Sequence, residues 1–463
     1  MATAAIEEEK YIFKSQTKTR LIILGVVGVV LLLLGTLLGG SGHHEEAAPA
    51  GEHHGAAAVT KEMVASADLT AEPQQEHGDH AAAAEGGGHH GSATWLKRIY
   101  ASLWHNSVFF AGLGIIGLFF VAIQYAAQAG WSAGINRIPL AMGSWIPIAG
   151  ISMLVFWFVV KGDVFHWTDS SLYHEGEHFD EIINGKAGMW YWPMAAGSFP
   201  IFYILRLIIF FGLWYFFFTR IRTEMLAEDI NGGVGHWLTA RKLSAVFLVI
   251  FAVSSSIAAW DWIMSIDPHW FSTMMGWYVF ASWWVTGLAV ITLIVASLKD
   301  AGYLKVVNAN HLHDLGKFVW AFSIFWTYIW FSQFMLIYYA NLPEETVYFI
   351  TRIKSSSFAW VFYANLIMNF VLPFLLFMTR DAKRHLSTLK VICPIVVIGH
   401  WFDFYLMVTP GVMKTEGTFG FVEIGMFCIF AAAFLFVTLT SLAKRPLVAL
   451  KHPMMGEALN HHI

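Results

Sequence analysis

Ten runs of about 20 mainly apolar residues divide the chain, and each is long enough to cross the hydrocarbon core of a bilayer as an α-helix. They lie near 21–38, 108–127, 142–160, 199–218, 243–264, 273–297, 318–339, 358–378, 391–408 and 419–441. Tryptophan and tyrosine gather at many of their ends, as at Trp190-Tyr191-Trp192 and Tyr338-Tyr339, in the manner of interfacial belts. The fold this predicts is an all-α integral membrane protein of about ten transmembrane helices.

Two pairs of runs echo one another. The fourth ends in Thr219-Arg220 and the eighth in Thr379-Arg380. The runs that follow place Asp261 and Asp403 seven residues ahead of Pro268 and Pro410, with Trp260 and Trp401 just before each aspartate. The echoes are an even number of helices apart, so they share an orientation. They predict two parallel four-helix units, 101–270 and 271–410. Ahead of these stand the N-terminus with the first helix (1–40) and a loop rich in His, Ala and Gly (41–100). The last helix and a tail (411–463) follow. The loop's histidines suit either a solvated flexible linker or adventitious metal binding.

Charge sets the orientation. With the N-terminus inside, the cytoplasmic segments hold 19 of the 28 Lys and Arg residues and the outer segments 8, while Arg206 lies within a helix. That excess predicts cytoplasmic termini, with the 41–100 loop on the outer side. The charged lead and apolar run of the first helix are both long for a signal peptide, so it reads as a retained anchor.

Composition then narrows the chemistry. Charged residues make up 13% of the 463, about half the share in soluble domains, and lipid accounts for the apolar surplus. No basic stretch suits nucleic acid. Two cysteines, Cys393 and Cys428, are too few for an iron–sulfur cluster, and no C-x-x-C-H stretch exists to carry covalent haem. A haem b would need two facing histidines, and only His400 lies deep within a run, His269 being at a helix end. His174 and His178 have a metal-like spacing, but their acidic surroundings read as a polar surface helix.

Ionisable groups inside the membrane are costly, about 2.5–3.5 kcal/mol each at mid-depth on insertion scales, and mark candidate sites. Here they are Arg206, Asp261, His400, Asp403 and Glu423, with Gln333, Asn365 and Asn369 as neutral polar groups. By topology Arg206 and His400 fall near mid-depth, and the three carboxylates fall in the outer half. His400 and Asp403 share a helix face, so the aspartate can orient the imidazole and stabilise its charged form. Asp261 and Glu423 are placed to pass protons outward. The pattern suits quinol oxidation, which releases two protons with its two electrons and needs a base within reach. Aromatic and Met positions such as Trp326, Tyr328, Met335 and Met368 read as packing.

Two stretches carry a family resemblance. They are A-W-D-W-I-M-S-I-D-P-H-W-F-S-T-M-M-G-W-Y-V-F-A-S (259–282) and N-A-N-H-L-H-D-L-G-K-F-V-W-A-F-S-I-F-W-T-Y-I-W-F-S-Q-F-M-L-I-Y-Y-A-N-L-P-E-E-T (308–346). Both resemble the NrfD or polysulfide-reductase-type membrane subunits of bacterial alternative complex III, and the long outer loop resembles the smaller, F-type of its two large membrane subunits. The resemblance implies a quinol:cytochrome c oxidoreductase. In it a related larger membrane subunit carries the main quinol site, and an iron–sulfur subunit and c-type haem subunits carry the electrons. This chain would contribute quinone interaction or proton conduction, with Asp261, His400 and Asp403 holding the family-like polar pattern. Two other readings stand beside this one. In a purely structural subunit the buried charges satisfy each other. A secondary transporter is less favoured, because its repeats are often inverted and its helices broken at matching places.

Overall fold

The computed structural model describes residues 8–40 and 93–462. The chain is an all-α integral membrane protein, and among the described residues ten helices are long and apolar enough to span a bilayer. They are α1 (Ser15–Leu38), α2 (Thr94–Ala126), α3 (Arg137–Val164), α4 (Ile201–Asn231) and α5 (Gly235–Ile266), followed by α6 (Met275–Asp300), α7 (Ala309–Ala340), α8 (Ala359–Leu376), α9 (Leu386–Met413) and α10 (Phe421–Ala443). Helices close their own backbone hydrogen bonds, which is why even their Val- and Ile-rich stretches stay helical in lipid. Among the described residues the only β-pairing is an isolated bridge between Lys10 and Pro446.

The two most buried helices sit at the centre. The apolar cores of α2 and α6 are 94% and 89% buried, which suits helices that are hydrophobic on every side. In the first unit α2 packs on α3 and α5, and α4 packs on the same two helices. In the second, α6 packs on α7 and α9, and α8 closes the ring against both. The units meet where α2 touches α6 and α9, and where α5 touches α6. Helix α1 stands outside both and leans on α10, its glycines allowing close backbone approach. A Cβ on Gly28 would lie 2.7 Å from the Gly425 carbonyl oxygen, and one on Gly425 would lie 2.6 Å from that of Gly28.

Both chain ends fold onto one face, here the termini face. The Glu9 carbonyl accepts from Leu447 N–H (2.8 Å), and the Glu9 carboxylate accepts from Leu304 N–H (2.9 Å) in the α6–α7 turn. Leu450 N–H donates to Asp229 (3.0 Å), and His461 Nε2 lies 2.6 Å from Asp314. Odd-numbered spans run from this face to the opposite one.

Several boundaries differ from the hydropathy reading. Helix α2 begins at Thr94 rather than 108, so residues 93–100 are mostly helix rather than outer loop. Its polar first turns depress the hydropathy, but their side chains find partners. Helix α4 runs on to Asn231, carrying Arg222, Glu224 and Asp229 past the expected end at 218. Residues 174–178 are bends and turns, not the expected surface helix. Gly176 weakens helix there, and Asp180 caps a fresh start at Glu181–Lys186 by accepting from Ile183 N–H. The histidine-rich segment 41–92, with its linker and metal readings, lies outside the described residues. Two spans are interrupted, α3 by a 3-10 turn at Gly143–Trp145 and α8 by a π-turn at Ile367–Val371 ahead of Pro373. These are the second helix of one unit and the third of the other, so the breaks do not match.

Candidate functional site

The five ionisable candidates do not gather into one cluster; they form three separate sites. Asp261 is the second-last residue of the α-helical part of α5 and is buried. Arg206 clasps it with two parallel hydrogen bonds, Nε to Oδ2 and Nη2 to Oδ1, both 2.7 Å. Such a fork matches a carboxylate in shape and charge. Arg206, expected near mid-depth, lies only about 8 Å along α4 from its start at Ile201. Beside the pair the buried Tyr203 hydroxyl has no partner.

Glu423 likewise forms a fork, with Arg98 Nε and Nη2 donating to it at 2.7 and 2.6 Å. It also accepts from Gly420 N–H at 2.7 Å, so it closes the N-terminus of α10 as a capping carboxylate. Arg98 belongs to the early turns of α2 that the hydropathy reading left in the loop.

Asp403 is built differently. It is fully buried about 26 Å along α9 from Leu386, and four helices converge on it. Tyr278 Oη and Asn365 Nδ2 (2.9 Å) donate to Oδ1. Ser282 Oγ and Trp326 Nε1 (2.9 Å) donate to Oδ2. An ionised carboxylate has about four lone-pair positions, and all are filled by neutral groups. Among the described residues no Lys or Arg pairs with Asp403. Behind Asn365, Asn369 Nδ2 donates to its Oδ1 (2.5 Å), with the π-turn widening α8 at that point and the bare Gly399 of α9 making room.

His400, one turn closer to the termini face, is fully buried with its Nδ1 3.9 Å from Asp403 Oδ2. That is beyond hydrogen-bond reach, so the aspartate does not hold the ring as the spacing suggested. Neither ring nitrogen has a partner, and the imidazole stands edge to face with Trp326 at 5.2 Å. Trp326 was expected to be packing alone, yet its indole N–H is one of the four donors.

Deep histidines number more than the one expected. His105 in α2 is fully buried, its Nε2 3.0 Å from the Trp401 carbonyl, while Trp401 Nε1 donates to Asn106 (3.0 Å) and Trp104 Nε1 to the Trp262 carbonyl (2.7 Å). These bonds tie α2 to the two tryptophan-flanked aspartate helices. His269 sits on the far face with Nε2 2.6 Å from Asp180. Burial works to raise the Asp180 carboxyl, but Ile183 N–H and His269 outweigh it and hold it below its ordinary value.

On the far-face side of Asp403 lies a small cavity of about 10 Å³, lined by Tyr278, Gln333, Tyr348 and Arg352 and by four apolar residues. It has room for about one water, and none for an aromatic ring. A larger cavity, about 630 Å³, opens elsewhere, beside Arg98 at the far-face ends of α1 and α10.

The arrangement defines a class: a polytopic helical membrane protein with two ion-paired carboxylates and a third, central one held by neutral donors alone. No protein-family model matches the chain, and no curated protein matches it significantly.

Proposed function

We propose that the chain is a proton-conducting membrane subunit of a respiratory quinol:cytochrome c oxidoreductase, in which partner subunits carry the electrons. The observation that supports this best is Asp403, buried at lipid depth with four neutral donors and, among the described residues, no Lys or Arg partner. A carboxylate is costly there in its charged form, and one left without a fixed counter-charge is suited to gain and lose a proton. Its hydroxyl partners fit that cycle. Tyr278 and Ser282 can turn from donor to acceptor when Asp403 is protonated, whereas Trp326 and Asn365 Nδ2 only donate and keep the group in place. His400, within one side-chain rotation, is a second base on the same path.

The respiratory setting rests on the family resemblance. The two stretches that carry it also supply Asp261, Tyr278 and Ser282 (259–282) and Trp326 and Gln333 (308–346). On this reading the chain sits in a bacterial inner membrane with its termini cytoplasmic. A related larger subunit holds the main quinol site, with iron–sulfur and c-type haem subunits beyond it. The cavity next to Asp403 has no room for a quinone ring, which favours proton conduction over quinone binding at this site. For Asp261 and Glu423, each held by an arginine fork, the structural reading is the better one.

The test is Asp403→Asn in the assembled complex, reconstituted into vesicles. Quinol-driven proton release should fall by about a hundredfold or more, the scale of losing a positioned acid–base group. Wild-type release per electron in a fully assembled variant would reject the proposal.

A further inference from the structure

Resting on that reading, the geometry points to a single bound water between Tyr278 and Gln333 as the next station for the Asp403 proton, with Arg352 as the residue that keeps other cations out. The cavity touches Tyr278 and has the volume of about one water. It is also polar enough to hold one. Gln333 is 2% exposed, lines the cavity and has an amide nitrogen with no hydrogen-bond partner. An orphaned buried amide costs about 1–3 kcal/mol, which one water removes. Tyr278 Oη offers the water a second contact and is already bonded to Asp403.

Arg352 sets the character of this station. It comes from the short far-face helix Pro343–Lys354 and is 4% exposed. Its contacts are the carbonyls of Leu406 (2.8 Å) and Tyr348 (2.6 Å) and the Tyr348 ring, 3.3 Å below it. Among the described residues no carboxylate forms an ion pair with it. A guanidinium stays charged, so its field opposes any cation resting in the cavity, a hydronium included, and the excess proton is on the water only in transit. As Asp403 gives its proton to Tyr278 Oη, the phenol gives its own to the water and stays neutral. The water then hands a proton on toward the far face, and no charge is left behind in the file except the Asp403 carboxylate.

The experiment is redox-triggered infrared difference spectroscopy on the intact complex, in ordinary water and in water enriched in oxygen-18, alongside vesicle proton release. Gln333→Met keeps the side chain's length and removes its amide. It should abolish a band that shifts with oxygen-18 and slow proton release by about tenfold, while the Asp403 carboxyl band persists. Tyr278→Phe should slow release similarly and move the carboxyl band. An isotope-sensitive band that survives Gln333→Met, or unslowed release in both variants, overturns the inference. If Asp403→Asn is silent, the functional reading itself has failed. If Asp403→Asn is impaired and these two variants are not, only this route is wrong.

Discussion

The Arg206–Asp261 pair separates two roles for a buried carboxylate, and a double-mutant cycle reads them apart. Arg206→Met leaves Asp261 2% exposed with no charge partner. Breaking a buried ion pair from one side costs about 3–5 kcal/mol, because the remaining charge stays desolvated. Asp261→Leu should cost a similar amount by stranding the guanidinium, which is less enclosed and has Phe202 4.4 Å away as a weak substitute partner. Removing both charges with side chains of similar volume is often close to neutral. The double variant should therefore lie within about 1–2 kcal/mol of wild type, a coupling of several kcal/mol between residues in contact. Unfolding of the purified complex in graded denaturing detergent measures each corner, and quinol turnover is followed in parallel. A latch predicts a double variant that is both stable and active. If the single losses simply add, the pair is not the unit described. If the double variant is stable but inactive, Asp261 passes protons as its depth alone suggested.

Other expectations follow from the periphery. Gly28→Val puts a branched side chain where a Cβ already meets the Gly425 carbonyl oxygen at 2.7 Å, so α1 should leave α10. Cysteine cross-linking between the two helices should fail in that variant, and retained cross-linking refutes the close contact. Glu423→Gln keeps the cap but loses the charge opposite Arg98; it should destabilise the α10 start by about 1–3 kcal/mol, seen as faster amide exchange there and absent if the fork is idle. His452, on the tail after α10, is driven down to about 4 by burial and by Arg137. Folded, it stays neutral while an undocked His452 takes up a proton near pH 6.5. Tail docking is then fully supported above that pH and weakens by up to about 3 kcal/mol as pH falls toward 4. Amide exchange across 447–461 should rise between pH 7 and 5 beyond the intrinsic chemistry. His452→Gln must remove the effect for the assignment to stand.

What could be read from the chain beforehand divides along physical lines. Ten spans are legible because a helix in lipid needs little more than an unbroken apolar run, and that is a local property. The ends are less so. Helix α2 starts at Thr94 with Arg98, His105 and Asn106 in its first turns, and hydropathy counts these as loop. They are tolerated because Glu423 and Trp401, some 300 positions away in sequence, satisfy them. The spacing of His400 and Asp403 marks a shared face, but not that the ring stops at 3.9 Å. The donors that define the Asp403 site come from α6, α7 and α8, and no spacing rule within one helix reveals them. Trp326 is the sharpest case: an indole in an apolar run looks like filler until its N–H is seen to have a destination.

The echo between the two units becomes most informative where it fails. In each, the third helix offers a partner to the aspartate on the fourth: Arg206 from α4 to Asp261, Asn365 from α8 to Asp403. A guanidinium brings a permanent charge and a two-bond fork that fixes the carboxylate in place. An amide brings a dipole only. Asp403 then depends on four neutral donors to offset its desolvation. On the proposed function, corresponding helix positions hold a fastener in one unit and an exchangeable group in the other. Introducing a guanidinium at the second site should make it behave like the first. Asn365→Arg in an assembled complex is expected to preserve the fold's helix content while stopping proton release, and continued release from that variant would show that Asp403's neutrality of surroundings is not what matters.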